Sequence, residues 1–232
     1  MEDLGTTAAG TQVEDSRTTA AGTHVEDSRT TAARTHFDRW SATYESGPGA
    51  RRLQDLQTAA LAALGLSADD VLLDLACGTG AAVRPAAPSV RRAVGFDLSP
   101  EMITQARTLA ANITNVEFRE GDVSGPLPFA DGEFTAIVCT TAFHHFPEPL
   151  ETIGEMFRVL APGGRVVIAD FNRRHPVVFA ADLALKRLQP SHFGLRSPSQ
   201  VMRDLCTAGF KRTSFCTVSG RLYAFVRAEK AA

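Results

Sequence analysis

Val71-Leu72-Leu73 is an apolar run that ends on Asp74 and breaks, after Leu75-Ala76-Cys77, into Gly78-Thr79-Gly80. Glycine reaches positive φ without steric cost and lets a ligand come close to the backbone. A strand feeding such a turn, followed by a helix, presents a nucleotide-like ligand to the carboxyl end of a parallel sheet. The dinucleotide fingerprint needs a third glycine so that helix and strand pack closely around a pyrophosphate. Here Ala81, Ala82 and Val83 follow instead, which fits a ligand without pyrophosphate. A second acid, Asp97, ends the run Ala93-Val94-Gly95-Phe96. It falls roughly twenty residues beyond the glycines, where a carboxylate holds a ribose diol. Further on, Thr140-Thr141-Ala142-Phe143-His144-His145-Phe146-Pro147 sets two imidazoles side by side. Imidazole titrates near neutrality, so either could take a proton from a phenol or hydroxyl.

Placing these groups requires alternating strands and helices. Strands are predicted at 71–75, 92–97, 115–119, 134–139 and 165–170, and helices at 100–112 and 149–160. Ser99 is the N-cap and Pro100 the first residue of the earlier helix. Phe37, Trp40 and Tyr44 share one face of a first helix, which Gly47-Pro48-Gly49 ends; a second helix runs over 51–64 and stops at Gly65. A short helical region is predicted over 176–188. Ser197-Pro198-Ser199-Gln200 reads as a capping box for a last helix ending at Gly209. Runs at 211–217 and 221–227 flank Ser219-Gly220 and read as a hairpin. Strands alternating with helices imply a parallel sheet. The expected fold is α/β: Rossmann-like, doubly wound, mainly parallel and seven-stranded, with an antiparallel C-terminal hairpin.

Taken in order, five segments give the chain a family resemblance. They are Leu73-Asp74-Leu75-Ala76-Cys77-Gly78-Thr79-Gly80, Gly95-Phe96-Asp97-Leu98-Ser99, Gly121-Asp122-Val123, Leu127-Pro128-Phe129 with Phe134, and Leu160-Ala161-Pro162-Gly163-Gly164. Over about residues 37–228 the chain resembles the class I S-adenosylmethionine (SAM)-dependent methyltransferases. Within them it is similar to the small-molecule branch that includes the ubiquinone/menaquinone-biosynthesis enzymes. Ala76 departs from the glycine that many members carry.

The resemblance implies SAM as cofactor and a small apolar or aromatic acceptor methylated at O, C or N by in-line displacement. It also implies a division of labour among the residues. Asp74 orients the glycine turn or meets the methionyl amine, and Ala76, Gly78 and Gly80 line the turn. Asp97 accepts from the ribose hydroxyls, Asp122 from the adenine amino group, and Val123 walls the base. Leu98, Met102, Thr140 and Tyr44 complete the cofactor set. Local readings stay open beside these: Asp97 as a helix-cap acid, and Asp122 as a turn former after Gly121. His144 and His145 are the catalytic candidates. His145 is preferred because family members more often keep a histidine directly before the Phe-Pro step. No third ligand follows at metal spacing, so no metal is expected.

The composition narrows the alternatives. Lys and Arg number 24 against 26 Asp and Glu, which lacks the basic footprint of a nucleic-acid binder. Four cysteines (Cys77, Cys139, Cys206 and Cys216) stand without CxxC or zinc spacing and read as small buried hydrophobes in a reducing compartment. No apolar run reaches the ~18 residues of a membrane span, and no secretory pattern opens the chain. A cytoplasmic enzyme is the expectation, with a homo-oligomer left open. Competing functions are a nicotinamide-dependent oxidoreductase, which lacks its third glycine here, and a non-catalytic SAM-binding or scaffolding protein.

The first 36 residues repeat. Thr6 to Arg17 reads TTAAGTQVEDSR, Thr18 to Arg29 reads TTAAGTHVEDSR, and Thr30 starts a third copy. A twelve-residue period advances a helix by about 120° per copy, so Val13, Val25 and Phe37 form no single stripe. Copies one and two contain too little apolar surface to offset ordering entropy. The expected organisation is a disordered leader over 1–35, with a helical oligomerisation arm as the alternative, and a methyltransferase domain over 36–232. Within that domain the apolar stretch 171–196 is expected to be a lid and acceptor-pocket insertion, with Trp40 and Tyr44 closing the other side.

Overall fold

The computed structural model describes residues 28–47, 49–189 and 191–232. Its strands are β1 (Val71–Leu75), β2 (Arg92–Asp97), β3 (Val116–Glu120), β4 (Phe134–Thr140), β5 (Leu160–Phe171), β6 (Lys211–Val218) and β7 (Tyr223–Glu229). They form one sheet in the order β3-β2-β1-β4-β5-β7-β6. β1 pairs in parallel with both β2 and β4, β2 with β3, and β4 with β5. β7 runs antiparallel between β5 and β6, so the closing hairpin supplies the antiparallel edge. The order reverses between β1 and β4. Carboxyl ends of parallel strands diverge at such a switch point and leave a crevice.

Helices cover both faces: α1 (Ser28–Trp40), α2 (Ala50–Leu64), α3 (Val83–Ala86), α4 (Pro100–Leu109), α5 (Pro149–Val159), α6 (Pro176–Leu188) and α7 (Pro198–Thr207). β1 is buried along its whole length, as expected of a central strand covered on both faces. Two apolar layers result. One packs Leu73, Phe134, Ile153 and Phe210 on the α5/α7 side, and the other packs Leu64, Leu72, Ile103 and Phe118 on the α2/α4 side. Ser99 caps α4 by accepting from the Met102 N–H at 3.1 Å. The Ser197–Gln200 capping box opens α7 as its sequence requires.

Three expectations change. α1 begins at Ser28, so the last eight residues of the stretch assigned to the leader, 28–35, are helical, with Thr30 and Ala33 buried against the body. The first two repeat copies and their expected disorder lie outside the described residues, apart from Ser28 and Arg29. The helix after the glycine turn is four residues long and passes into a 3₁₀ turn at Ala87–Ser89. Pro85 and Pro88 lack the N–H groups that would extend it. Finally, only Cys77 and Cys139 are buried; Cys206 on α7 and Cys216 on the edge strand β6 are exposed.

Gly80 is needed for packing as well as for its turn. At its φ of +76°, a Cβ would sit 2.7 Å from Phe118 Cε1 and 2.8 Å from Cζ. Gly80→Ala is therefore expected to destabilise the fold by about 2–4 kcal/mol, through left-handed strain plus overpacking. Equilibrium denaturation checks this; a variant within ~0.5 kcal/mol of wild type would mean that Phe118 moves aside freely.

Candidate active site

β1 and β2 end side by side, and the turn after β1 folds across them. The Ala76 and Cys77 N–H groups both donate to the Phe96 carbonyl, at 2.8 and 3.2 Å. Ala76 takes φ +60°, so an alanine adopts the left-handed geometry that ordinarily favours glycine. The Gly78 N–H then donates to Asp97 Oδ2 at 2.7 Å, and the Ser99 N–H donates to Oδ1 at 2.9 Å. Asp97 thus ties the glycine turn to the start of α4. Burial raises its pKa against the pull of these donors.

A cavity opens over this junction. Ala76, Gly78, Asp97, Leu98 and Met102 line it from β1, β2 and α4, and Asp122, Val123 and Ser124 from the segment after β3. Thr141, Ala142, His145, Phe146 and Pro147 close it from beyond β4, and Thr30, Ala33, Phe37 and Tyr44 cover it from the N-terminal side. Asp122 Oδ1 accepts from the Ser124 N–H at 2.8 Å, so it also shapes its own turn.

Asp74 lies at the carboxyl end of β1, 1% exposed, and its Oδ1 has no hydrogen-bond partner. Burial, reinforced by Asp97, raises its pKa to about 8. The folded state therefore holds a proton that the unfolded chain releases in the ordinary carboxylate range. Stability contributed by this group is lost as pH rises from about 4 to about 8. Asp74→Asn keeps the shape and removes the ionisation. Its melting temperature should exceed wild type by several degrees at pH 9 and converge with it at pH 5, as read by thermal melts. An equal offset at both pH values would show that Asp74 is not the titrating group.

The segment after α1 is clasped to the glycine turn. Arg84 Nη2 donates to both Glu45 oxygens, at 2.8 and 2.7 Å. The Thr79 hydroxyl donates to Glu45 Oε1 at 2.5 Å, and Arg84 Nη1 bonds the Thr79 carbonyl. Ser99 Oγ donates to Asp38 Oδ1 at 2.6 Å. These ties hold Tyr44 beside the cavity, where burial, then Asp97 and Asp74, pushes its pKa up to about 12. It is a neutral phenol there.

A second cavity adjoins the first; Phe37, Tyr44, Thr141 and His145 line both. The second is lined also by Trp40, Arg52, His144, Phe171, Leu185, Gln189, His192 and Tyr223. Three of the imidazoles there, those of His144, His145 and His192, each have one nitrogen engaged. His144 Nδ1 lies 2.9 and 3.0 Å from the two Asp170 oxygens, and the His144 N–H donates to Asp170 Oδ2 at 3.0 Å. His145 Nδ1 donates to the Ser191 carbonyl at 2.7 Å. His192 Nε2 bonds Asp182 at 2.9 Å. Burial, then the neighbouring His144, lowers the His145 pKa to about 3, so that ring stays neutral.

Of the residues singled out from sequence, Tyr44, Ala76, Gly78, Asp97, Leu98, Met102, Asp122, Val123 and His145 meet around the first cavity. Asp74 lies beneath it, Gly80 faces Phe118, Thr140 is buried in β4, and His144 faces the second cavity. Thr141 lines the cavity in place of Thr140, because its φ of +50° turns the chain at the strand end. Glu45, Arg84, Asp170 and Asp182 were missed. Their roles come from pairs 39, 26 and 10 residues apart, which no local pattern displays.

Residues 73–168, which include the glycine turn and both acids, match the family model described as a methyltransferase domain. Over that stretch the chain is similar to methyltransferase domains. A demethylmenaquinone methyltransferase of Thermus thermophilus is 41% identical over 104 residues, 43% of this chain and 46% of that protein. The chain spans about half the length of the curated relatives it matches. Among solved structures, a chain of the complex between the Haloferax volcanii Trm112 methyltransferase activator and a putative methyltransferase gives a TM-score of 0.74. It is 21% identical and covers 84% of this chain and 98% of that one. The [4+2]-cyclase SpnF also gives 0.74, at 18% identity, over 88% of this chain and 97% of its own. These structural likenesses establish the fold. A cyclase among them means that function has to be argued from the site.

Proposed function

We propose that the chain is a SAM-dependent methyltransferase acting on a small apolar or aromatic acceptor whose reacting atom begins protonated, a phenol-type hydroxyl foremost. The observation behind this reading is the pair of adjoining cavities that share Phe37, Tyr44, Thr141 and His145 as a common wall. One is built around Asp97 and the glycine turn, and the other around a histidine held by a carboxylate. In this reading the catalytic unit runs from Ser28 to the C-terminus, and residues 171–196 form the lid of the acceptor cavity.

The first cavity fits the cofactor. Asp97 offers carboxylate oxygens for a ribose diol and Asp122 one for an adenine amino group, while Val123 and Leu98 present apolar surface to a base. The backbone at Gly78 is open to the cavity, since the nearest atoms to where its Cβ would stand, in the Tyr44 ring and at Met102 Sδ, are 3.7 to 3.9 Å away. The buried unpartnered oxygen of Asp74 leaves a neutral polar group behind the turn. When bound, SAM supplies an activated methyl group to an in-line nucleophile.

The protein's own work is alignment, water exclusion and proton removal. Phe37, Tyr44 and Trp40 shield the junction of the cavities, and orientation of this kind is worth up to ~7–11 kcal/mol of barrier where geometry is ideal. Asp170 accepts from His144 Nδ1–H, which fixes the tautomer and leaves Nε2 as the proton acceptor. This favours His144 over His145 as the base, contrary to the preference drawn from sequence, because His145 is too weak a base in its buried site.

The test is calorimetric titration with SAM and, separately, NADH, followed by methyl transfer to a panel of phenols, amines and activated carbon acids. SAM binding with turnover of a hydroxyl acceptor supports the reading. Binding of NADH alone would return the oxidoreductase, and SAM binding without transfer to any acceptor class would return the silent binding protein.

A further inference from the structure

We propose that α6 is a docking helix that seats the enzyme on an anionic bilayer surface beside the mouth of the second cavity. Of its thirteen residues only Val178 and Asp182 are buried. Val177, Ala181, Ala184 and Leu188, spaced four, three and four apart, form an exposed apolar stripe, with Val177 67% and Leu188 79% exposed. Phe179 and Leu183 extend it around the helix. A soluble chain leaves so much apolar side chain in water on one short helix only where something covers it.

Charge indicates what the covering surface is. The whole chain is slightly acidic, yet residues 171–196 hold five cations (Arg173, Arg174, Lys186, Arg187 and Arg196) against one acid, Asp182. That acid is turned inward and fully buried, where Arg173 Nε, His192 Nε2 and the Leu195 N–H bond it at 2.8, 2.9 and 2.8 Å. The outward arc is left without negative charge. Arg174 and Arg187 are exposed and lie in no ion pair among the described residues. Lys186 also reaches Asp182, at 3.5 Å, so the free cations are Arg187 near the end of the helix and Arg174 just before its start. An exposed apolar stripe flanked by these two matches a headgroup–acyl boundary carrying negative lipids. A second copy of this chain, bringing the same cations, would place like charges face to face. No helix among the described residues is long and apolar enough to cross a membrane, so the helix would lie in the interface.

Position ties the helix to the site. Leu185, on the inner side of α6, lines the second cavity together with Gln189 just past the helix end, and half-exposed Trp40 lines the same cavity. An indole at that rim is suited to the headgroup level. An acceptor with an apolar tail could pass from the bilayer to the cavity along this edge.

The experiment is co-sedimentation of the full chain with extruded phosphatidylcholine vesicles, with and without phosphatidylglycerol. Binding is expected to the phosphatidylglycerol vesicles and to be lost near about 0.5 M salt, where surface charge is screened. Arg174→Gln/Arg187→Gln should weaken it by about 25-fold, from roughly fivefold per cation at the surface. Leu188→Asp should weaken it by at least about tenfold, with circular dichroism and SAM binding unchanged. No binding to anionic vesicles at low salt, or binding that neither variant alters, would overturn the proposal. So would a dimer in light scattering that Leu188→Asp dissociates, because that assigns the face to a second copy. Vesicle binding does not depend on methyl transfer, so its failure leaves the proposed reaction standing.

Discussion

Replacing His144 with alanine is expected to lower kcat by about 10²–10⁴ on a hydroxyl acceptor, the usual loss when a positioned general base is removed. SAM affinity should hardly change, since His144 lines the second cavity and not the first. The same geometry predicts a graded response at Asp170. That carboxylate takes both the His144 backbone N–H and its ring Nδ1–H, whereas an asparagine could accept only one of them well and would turn an N–H toward the other. Asp170→Asn should therefore lower kcat while KM stays near wild type, because the base remains but its tautomer is no longer fixed. His145→Ala should act differently. Its ring packs edge-on to Phe37 at 5.1 Å and holds the Ser191 carbonyl, so its loss should loosen both cavities and raise KM. Steady-state kinetics on the three variants checks this. If His144→Ala keeps wild-type kcat while His145→Ala loses it, the roles are exchanged.

The parts of this site visible in sequence are those in which one short segment specifies its own geometry. An apolar run, an acid and paired glycines made β1 and its turn readable, and Ser99-Pro100 marked the start of α4. The doubly wound order followed from strands alternating with helices. What escaped depends on the assembled fold. Glu45 meets Arg84 across 39 positions, and nothing in Tyr44-Glu45-Ser46 reveals that partner. Asp170 reads as the end of β5 until β4 and β5 lie side by side and bring it under His144. Gly80 was assigned to ligand approach, yet the ring facing its missing Cβ belongs to β3. The leader boundary moved because apolar periodicity counts large side chains, and the residues that anchor the start of α1 are Thr30 and Ala33. On α6 the apolar count was legible, but whether those side chains face a core or solvent depends on how far the helix stands from the body.

Asp97→Ala should weaken SAM binding by about 1–3 kcal/mol, or roughly 5- to 150-fold in Kd, because the charged acceptor for the ribose hydroxyls is lost. The structure adds a second loss that a strand-tip acid would not have implied. Asp97 is 8% exposed and accepts from Gly78 and Ser99, so alanine leaves two backbone donors without their acceptor. Each orphaned donor costs about 1–3 kcal/mol where water cannot replace the partner. The variant should melt lower even in the absence of cofactor, and the glycine turn should be the part that loosens. Asp97→Asn separates the two effects. Its carbonyl can keep one of the two backbone donors, so it should recover part of the stability while SAM still binds weakly, lacking the charge. Saturating SAM raises the melting temperature in proportion to the logarithm of its concentration over Kd, so the cofactor-induced shift should be largest in wild type. It should be smaller in Asp97→Asn and smallest in Asp97→Ala. Calorimetric titration and thermal melts with and without SAM measure both quantities on the same samples. A folded Asp97→Ala protein that binds SAM with wild-type affinity would remove the ribose from this carboxylate, and leave Asp97 as the residue that fastens the glycine turn to α4.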